Sequence, residues 1–257
     1  MIDIEKCKRE FIKYTEKFDL DNPNIKRKQL HSLRVMEKSN SIAKSLNLNE
    51  EEVEIATLIG LLHDTGRFEQ YTKYKTFRDC ESIDHADFGV KILMQNDYIN
   101  EFITDKNWID TIFIAIKNHN KYKIQEGLSQ KQEIFCKIIR DADKADIMYE
   151  GANIFWNDDE EIREMEKLRV KDEVYKFVKK NQLVDRKKLE KENKLDSMII
   201  MLCFIFDIYF GKTFEIIEDE KSIDAIFKRF NFENQETREK IEDIHKIINK
   251  YVTENKG

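Results

Sequence analysis

A chain of 257 residues with 40% hydrophobic and 37% charged side chains can bury a large core, and it is too apolar for a disordered segment. One proline and seven glycines are too few for the many tight turns of a sheet-rich fold, so the composition predicts an all-α protein. The net charge of −6, from 51 acidic against 45 basic side chains, leaves no basic excess for a large nucleic-acid surface. The four cysteines (Cys7, Cys80, Cys136, Cys203) form no CxxC pair, and no signal-peptide pattern opens the chain. Both point to reduced thiols and a cytoplasmic protein.

Phe11, Tyr14 and Phe18 recur at helical spacing, and the first helix stops before the turn DNPN at 21–24. A second helix is predicted from about Lys26 to Leu46, carrying His31. Asn49 with Glu52 three residues on forms a capping-box pattern, and Val53, Ala56, Leu58, Ile59, Leu61 and Leu62 draw the third helix into the core. Gly66 is expected to stop it at Asp64 and to leave room beside that carboxylate. Residues 67–82 are aperiodic and read as a loop. Ser82 is a candidate cap for a helix with His85, Gly89, Ile92 and Leu93. A helix from about Trp108 reaches His119, and another spans about Lys131 to Tyr149. After Gly151 come charged amphipathic helices and the apolar stretch at 197–210. That stretch carries Asp207 and is too short to span a bilayer, so it reads as a buried helix and no membrane contact is expected. The division expected is a core domain at 1–150 and a helical extension at 151–257 packed on it. The extension reads as a cap or an interface, which leaves a homodimer open.

Four of the five histidines (His31, His63, His85, His119, His245) lie in the first half, each at or inside an apolar helical segment. Burying so many polar groups is costly unless they pair or hold a metal. Imidazole and carboxylate side by side at His63-Asp64 suit divalent ions such as Mn, Fe, Co, Ni or Zn, and the two oxygens of Asp64 can bridge two of them. Ligands from separate helices converge in the interior of a bundle.

His31, then LLHDTGR with His63-Asp64, then IRDADKAD with Asp143, resembles the H…HD…D pattern of the HD-domain superfamily of metal-dependent phosphohydrolases, over roughly residues 28–150. HADFGVKIL with His85 and IKNHNKYK with His119 resemble the further histidine segments of the two-metal members, among them the HD-GYP phosphodiesterases. The resemblance implies a helical bundle and one or two divalent ions per chain (Mn, Fe, Co, Ni, Zn or Mg). It implies a first site of His31, His63, Asp64 and Asp143, and a second of Asp64 as bridge, His85 and His119. Among Asp141, Asp143 and Asp146 the family pattern favours Asp143, with Asp146 the expected supporting acid. A lone histidine follows where HD-GYP proteins carry a pair, and the GYP triplet is absent, which counts against a cyclic dinucleotide substrate.

The activity implied is hydrolysis of a small phosphate mono- or diester, a nucleotide first among the candidates, by metal-activated water. Asp64 and Arg67 would be the catalytic pair, with Arg67 gripping phosphate bidentately. Lys121 and Lys144 are further phosphate candidates, and water, Asp87 or Asp84 would supply the leaving-group proton. Phe68, Tyr71, Tyr74, Phe77 and Tyr122 are candidates to stack on a base, against their ordinary use in packing. Two alternatives differ in class: a metal-stabilised nucleotide-binding regulatory module without turnover, and a di-iron oxygenase, a chemistry also known on this type of fold.

Overall fold

The computed structural model describes residues 2–186, 189 and 191–256, and among them every regular element is helical. The chain divides into two compact units, Met1–Asp143 and Lys144–Gly257, so the boundary falls inside a helix that the sequence assigned whole to the first domain.

The first unit contains α1 (Ile4–Thr15), α2 (Pro23–Ser45), α3 (Glu50–Leu62), α4 (Thr65–Tyr74), α5 (His85–Met94), α6 (Ile109–Asn118) and the start of α7 (Gln130–Asn153). Pro23 occupies the first turn of α2, where its missing N–H removes no helical bond, and Asn22 caps the helix by accepting from the Asn24 amide. The capping box of α3 forms as predicted: Asn49 accepts from the Glu52 amide and the Glu52 carboxylate accepts from the Asn49 amide. Every α3 residue from Ile55 to Leu62 is buried, so this helix is the central post of the unit. Each of its fully buried Leu and Ile side chains contributes about 1.5–3 kcal/mol through removal from water.

Three local expectations are corrected here. Residues 65–74 form α4 rather than a loop. The apolar stripe that holds α4 is thin: Phe68, wholly buried, meets Phe11, Tyr14 and Phe18 at ring-centroid distances of 5.9, 5.9 and 5.6 Å. Gly66 does not open a space either. It lies inside α4 against α5, where an added Cβ would fall 2.2 Å from the His85 carbonyl oxygen and 2.7 Å from the Gly89 nitrogen. Gly66 and Gly89 are thus the contact point of two helix backbones. Asp84, not Ser82, caps α5, accepting from the amides of Ala86 and Asp87.

The second unit contains the end of α7, α8 (Asp159–Glu166), α9 (Asp172–Lys179), α10 (Lys194–Leu202), α11 (Gly211–Asp219), α12 (Ser222–Lys228) and α13 (Gln235–Asn255). Its core joins Met165, Val174, Val178, Ile199, Ile217 and the α13 stripe of Ile241, Ile244, Ile248 and Val252. The stretch at 197–210 is buried over its first half, but its α-helix ends at Leu202 and a 3₁₀ segment follows at Cys203–Asp207. Aromatic and β-branched residues dominate there, and they lose side-chain freedom in a regular helix. No helix among the described residues is long and apolar enough to cross a membrane.

Candidate metal centre

Helix ends place the first histidines. His63 is the C-cap of α3 and its Nδ1–H donates to the Gly60 carbonyl, 2.8 Å away. His119 is the C-cap of α6 and its Nδ1–H donates to the Ile116 carbonyl, 2.7 Å away. Both rings satisfy a carbonyl that the ending helix leaves open, three residues back. The same bond settles the tautomer, so each neutral ring turns an Nε2 lone pair inward. His85 reaches that state by another route: its Nδ1–H donates to Asp79 Oδ2 at 2.7 Å.

Asp64 stands at the N-cap of α4, where an aspartate ordinarily accepts a backbone N–H, yet its side chain makes no capping bond. The carboxylate turns instead into the histidines. Its Oδ2 lies 3.5 Å from His31 Nε2 and 3.6 Å from His63 Nε2, while its Oδ1 lies 3.3 Å from His85 Nε2 and 3.7 Å from His119 Nε2. Asp143 Oδ1, from α7, is 3.1 Å from His31 Nε2 and 3.6 Å from His63 Nε2. All six residues singled out by the H…HD…H…H…D spacing therefore meet, in two sets that share Asp64.

The donor set fits divalent ions. Two ligand atoms each about 2.1 Å from one ion lie roughly 3–3.5 Å apart, and most separations above fall near that range. His63 Nε2 is buried with no hydrogen-bond partner. The Nε2 atoms of His85 and His119 face each other at 2.9 Å although both protons are committed at Nδ1, so two lone pairs point at one another unless a cation or an extra proton lies between them. Among these six residues three triads have ligand atoms mutually within 4.8 Å, His31-His63-Asp64, His63-His119-Asp143 and Asp64-His85-His119, and two flanking groups, His31-Asp146-Glu150 and Asp79-Asp84-His85, meet the same limit.

Electrostatics match. Burial pushes the His63 and His85 imidazoles down, His85 to about 4, which keeps them neutral near pH 7. Burial alone would raise Asp64, but the Lys28 ammonium and His63 hold it well below the carboxylate range. Asp143 is held low against burial by His31 and His63.

Around this set the structure reassigns several side chains. Arg67 Nε lies 3.5 Å from Asp64 Oδ1, but its Nη1 donates to the Phe77 carbonyl, Asp79 Oδ1 and Gln70 Oε1, so it braces the segment after α4. Asp79 was not singled out from sequence. It orients His85 and is fixed by Arg67, Gln70 and Asn120, the role a supporting carboxylate takes behind a ligand imidazole. Lys121 pairs with Asp84 and Asp87, which holds all three at the surface end of α5. Lys144 belongs to the second unit, where it pairs with Asp207. Phe68 is core, Tyr71 stacks on Phe77 at 4.7 Å, and Tyr74 and Tyr122 are about half exposed. Arg140, buried on α7, donates to the carbonyls of Asn118 and Lys121 and pins the chain on either side of His119. That helices end at His63-Asp64 and at His119 was legible in LLHD and KNHN. Asp79 and Arg140 gave no comparable signal.

Cys7, Cys136 and Cys203 are buried, their thiols pushed up by burial to about 11, 12 and 12, and none of the four cysteines is in a disulfide.

Residues 30–148 match the family model of the HD domain, a superfamily of metal-dependent phosphohydrolases that bind divalent ions. No curated protein and no solved structure matches the chain. The matched span begins one residue before His31 and ends five after Asp143, enclosing both sets of inward-facing groups. Residues 30–148 are thus similar to the HD domain, and the six converging side chains all lie within that match.

Proposed function

We propose that the protein hydrolyses a small phosphate mono- or diester, a nucleotide or related phosphometabolite, with two divalent ions held by His31, His63, Asp64 and Asp143 and by Asp64, His85 and His119. The observation that carries this reading is the shared carboxylate: the two oxygens of Asp64 face two different groups of imidazoles, and the tautomers of His63, His85 and His119 are already set. When bound, such ions supply positive charge for phosphoryl oxygens and a water acidic enough to attack phosphorus near neutral pH.

The chain's own part is preparation. Asp79, Gly60 and Ile116 hold the ring protons of His85, His63 and His119 outward, so these three imidazoles need lose no proton before binding an ion. Arg67 contributes charge beside Asp64 rather than a two-pronged grip, because one arm of its fork is committed to Asp79 and Phe77.

The test is a metal count on native protein followed by turnover assays with Mn²⁺ or Co²⁺ on aryl phosphates, aryl phosphodiesters and nucleotides. The expected result is about two ions per chain and release of phosphate or nucleotide that Asp64→Ala abolishes. Metal-loaded protein inert across that panel overturns the hydrolase reading and favours a nucleotide-binding module.

A further inference from the structure

Lys28 has no place in the scheme so far. It lies on α2 one turn before His31, its side chain is 11% exposed, and its ammonium donates to Asp64 Oδ2 at 2.6 Å. That oxygen is also the one turned toward His31 and His63. The ammonium therefore holds the carboxylate oxygen that a cation among His31, His63 and Asp143 would take.

Among the described residues Asp64 is the acid within ion-pair distance of Lys28, and the ring beside Lys28 is shared with two further cations. Its Nζ lies 5.7 Å from the centre of the Phe77 ring, and the guanidinium carbons of Arg27 and Arg67 lie 5.5 and 5.7 Å from the same ring. Asp79, the partner of Arg67, accepts from Arg67, Gln70, Asn120 and the His85 Nδ1–H. Lys28 depends on Asp64 for its counter-charge. An ion that binds Asp64 Oδ2 takes that oxygen and repels the ammonium, leaving a nearly buried cation beside the centre without its anion. Such a charge is costly until another anion arrives.

We infer that Lys28 is an exchangeable ammonium. It neutralises Asp64 when the centre is empty of metal, and it donates to a non-bridging oxygen of the phosphoryl group when the centre is loaded. Resting on the hydrolase reading above, this deepens it: metal binding creates the phosphate site by its own charge and also by releasing Lys28. The ligand class that follows is a phosphoryl group with at least one free anionic oxygen, which monoesters and diesters have and triesters lack.

The experiment compares wild type, Lys28→Met and Lys28→Arg by Mn²⁺ titration calorimetry on metal-free protein and by the thermal shift that inorganic phosphate gives the Mn²⁺-loaded protein. In Lys28→Met, Mn²⁺ is expected to bind several-fold tighter, since its competitor is gone. Phosphate is expected to bind about tenfold more weakly, the loss of one charged hydrogen bond. Lys28→Arg keeps phosphate binding near the wild-type level. The Mn²⁺-induced rise in melting temperature gives a second readout, larger in Lys28→Met than in wild type even if the metal-free variant is less stable. Weaker Mn²⁺ binding in Lys28→Met, or unchanged phosphate binding, overturns the inference. If wild type binds Mn²⁺ and cleaves esters while Lys28→Met matches it in both titrations, only the role of Lys28 falls. If wild type takes up no Mn²⁺, the metal centre and the inference fall together.

Discussion

Each unit of the molecule pairs a histidine with an aspartate, and the two pairs behave differently. In the second unit His245 Nε2 meets Asp224 Oδ1 at 2.7 Å, with Asn249 beside them and both side chains substantially exposed. That pair is complete. In the first unit His63 Nε2 is fully buried and stands 3.6 Å from Asp64 Oδ2 and from Asp143 Oδ1, too far for a hydrogen bond to either. That pair is unfinished, and so are the facing nitrogens of His85 and His119. Titratable groups that satisfy one another mark structure. Buried ones that stop an ångström short of each other mark a place for something else.

The largest effect that sharpens this contrast is on the shared carboxylate. Asp64→Ala should lower ester hydrolysis by about a thousandfold or more and remove at least one ion per chain. Asp224→Ala should leave the metal count and turnover unchanged, and equal losses in both variants would break the comparison. Asp79→Asn keeps its shape but weakens the hold on His85, so metal affinity is expected to fall about 10- to 100-fold by calorimetry. Gly66→Ala forces a methyl against the His85 carbonyl, and a cost of about 1–3 kcal/mol is expected in urea unfolding.

The pH dependence has a definite sign. Folded His85 titrates near 4, while an unfolded histidine titrates near ~6.5. Between those values the unfolded chain binds a proton that the folded chain does not. Stability of the metal-free protein should therefore fall as pH drops from about 6.5 through about 4. His63 acts in the same direction, and Asp64 and Asp143, held low in the fold, withdraw their contribution at still lower pH. A flat melting temperature across that window counts against buried neutral imidazoles. The smallest effect belongs to the second unit: His245→Gln should shift stability by less than about 1 kcal/mol, as expected of an exposed pair.

The helical fold was legible because it rests on signals confined to short stretches of chain, and the residues that converge were legible through their resemblance to the HD pattern. The Asn49-Glu52 box, the apolar face of α3 and histidines at helix ends each show themselves within a turn or two. What stayed hidden depends on partners far along the chain. α4 buries so few apolar side chains that TGRFEQYTKY carries no clear period, and Gly66 looks like a helix stop when its neighbour is α5. Asp79 sits in an aperiodic segment, and only the three-way tether of Arg67, Gln70 and Asn120 gives it a purpose. Lys28 reads as an ordinary surface base of a long charged helix until α2 is set beside Asp64. The break between units inside α7 leaves no trace in its sequence, because a continuous helix has the same period on both sides of it.

Where α4 touches α5, glycine meets glycine and the carbonyl of His85 itself lies against Gly66. No side chain stands between the two backbones, so there is no rotamer to flex and no methylene to compress. The gap between the Asp64 end of α4 and the imidazole that opens α5 is consequently gauged by main-chain atoms alone, like a ruler without a sliding scale. Evolution can retune the rim of such a site freely, but changing the spacing of its centre requires moving a whole helix.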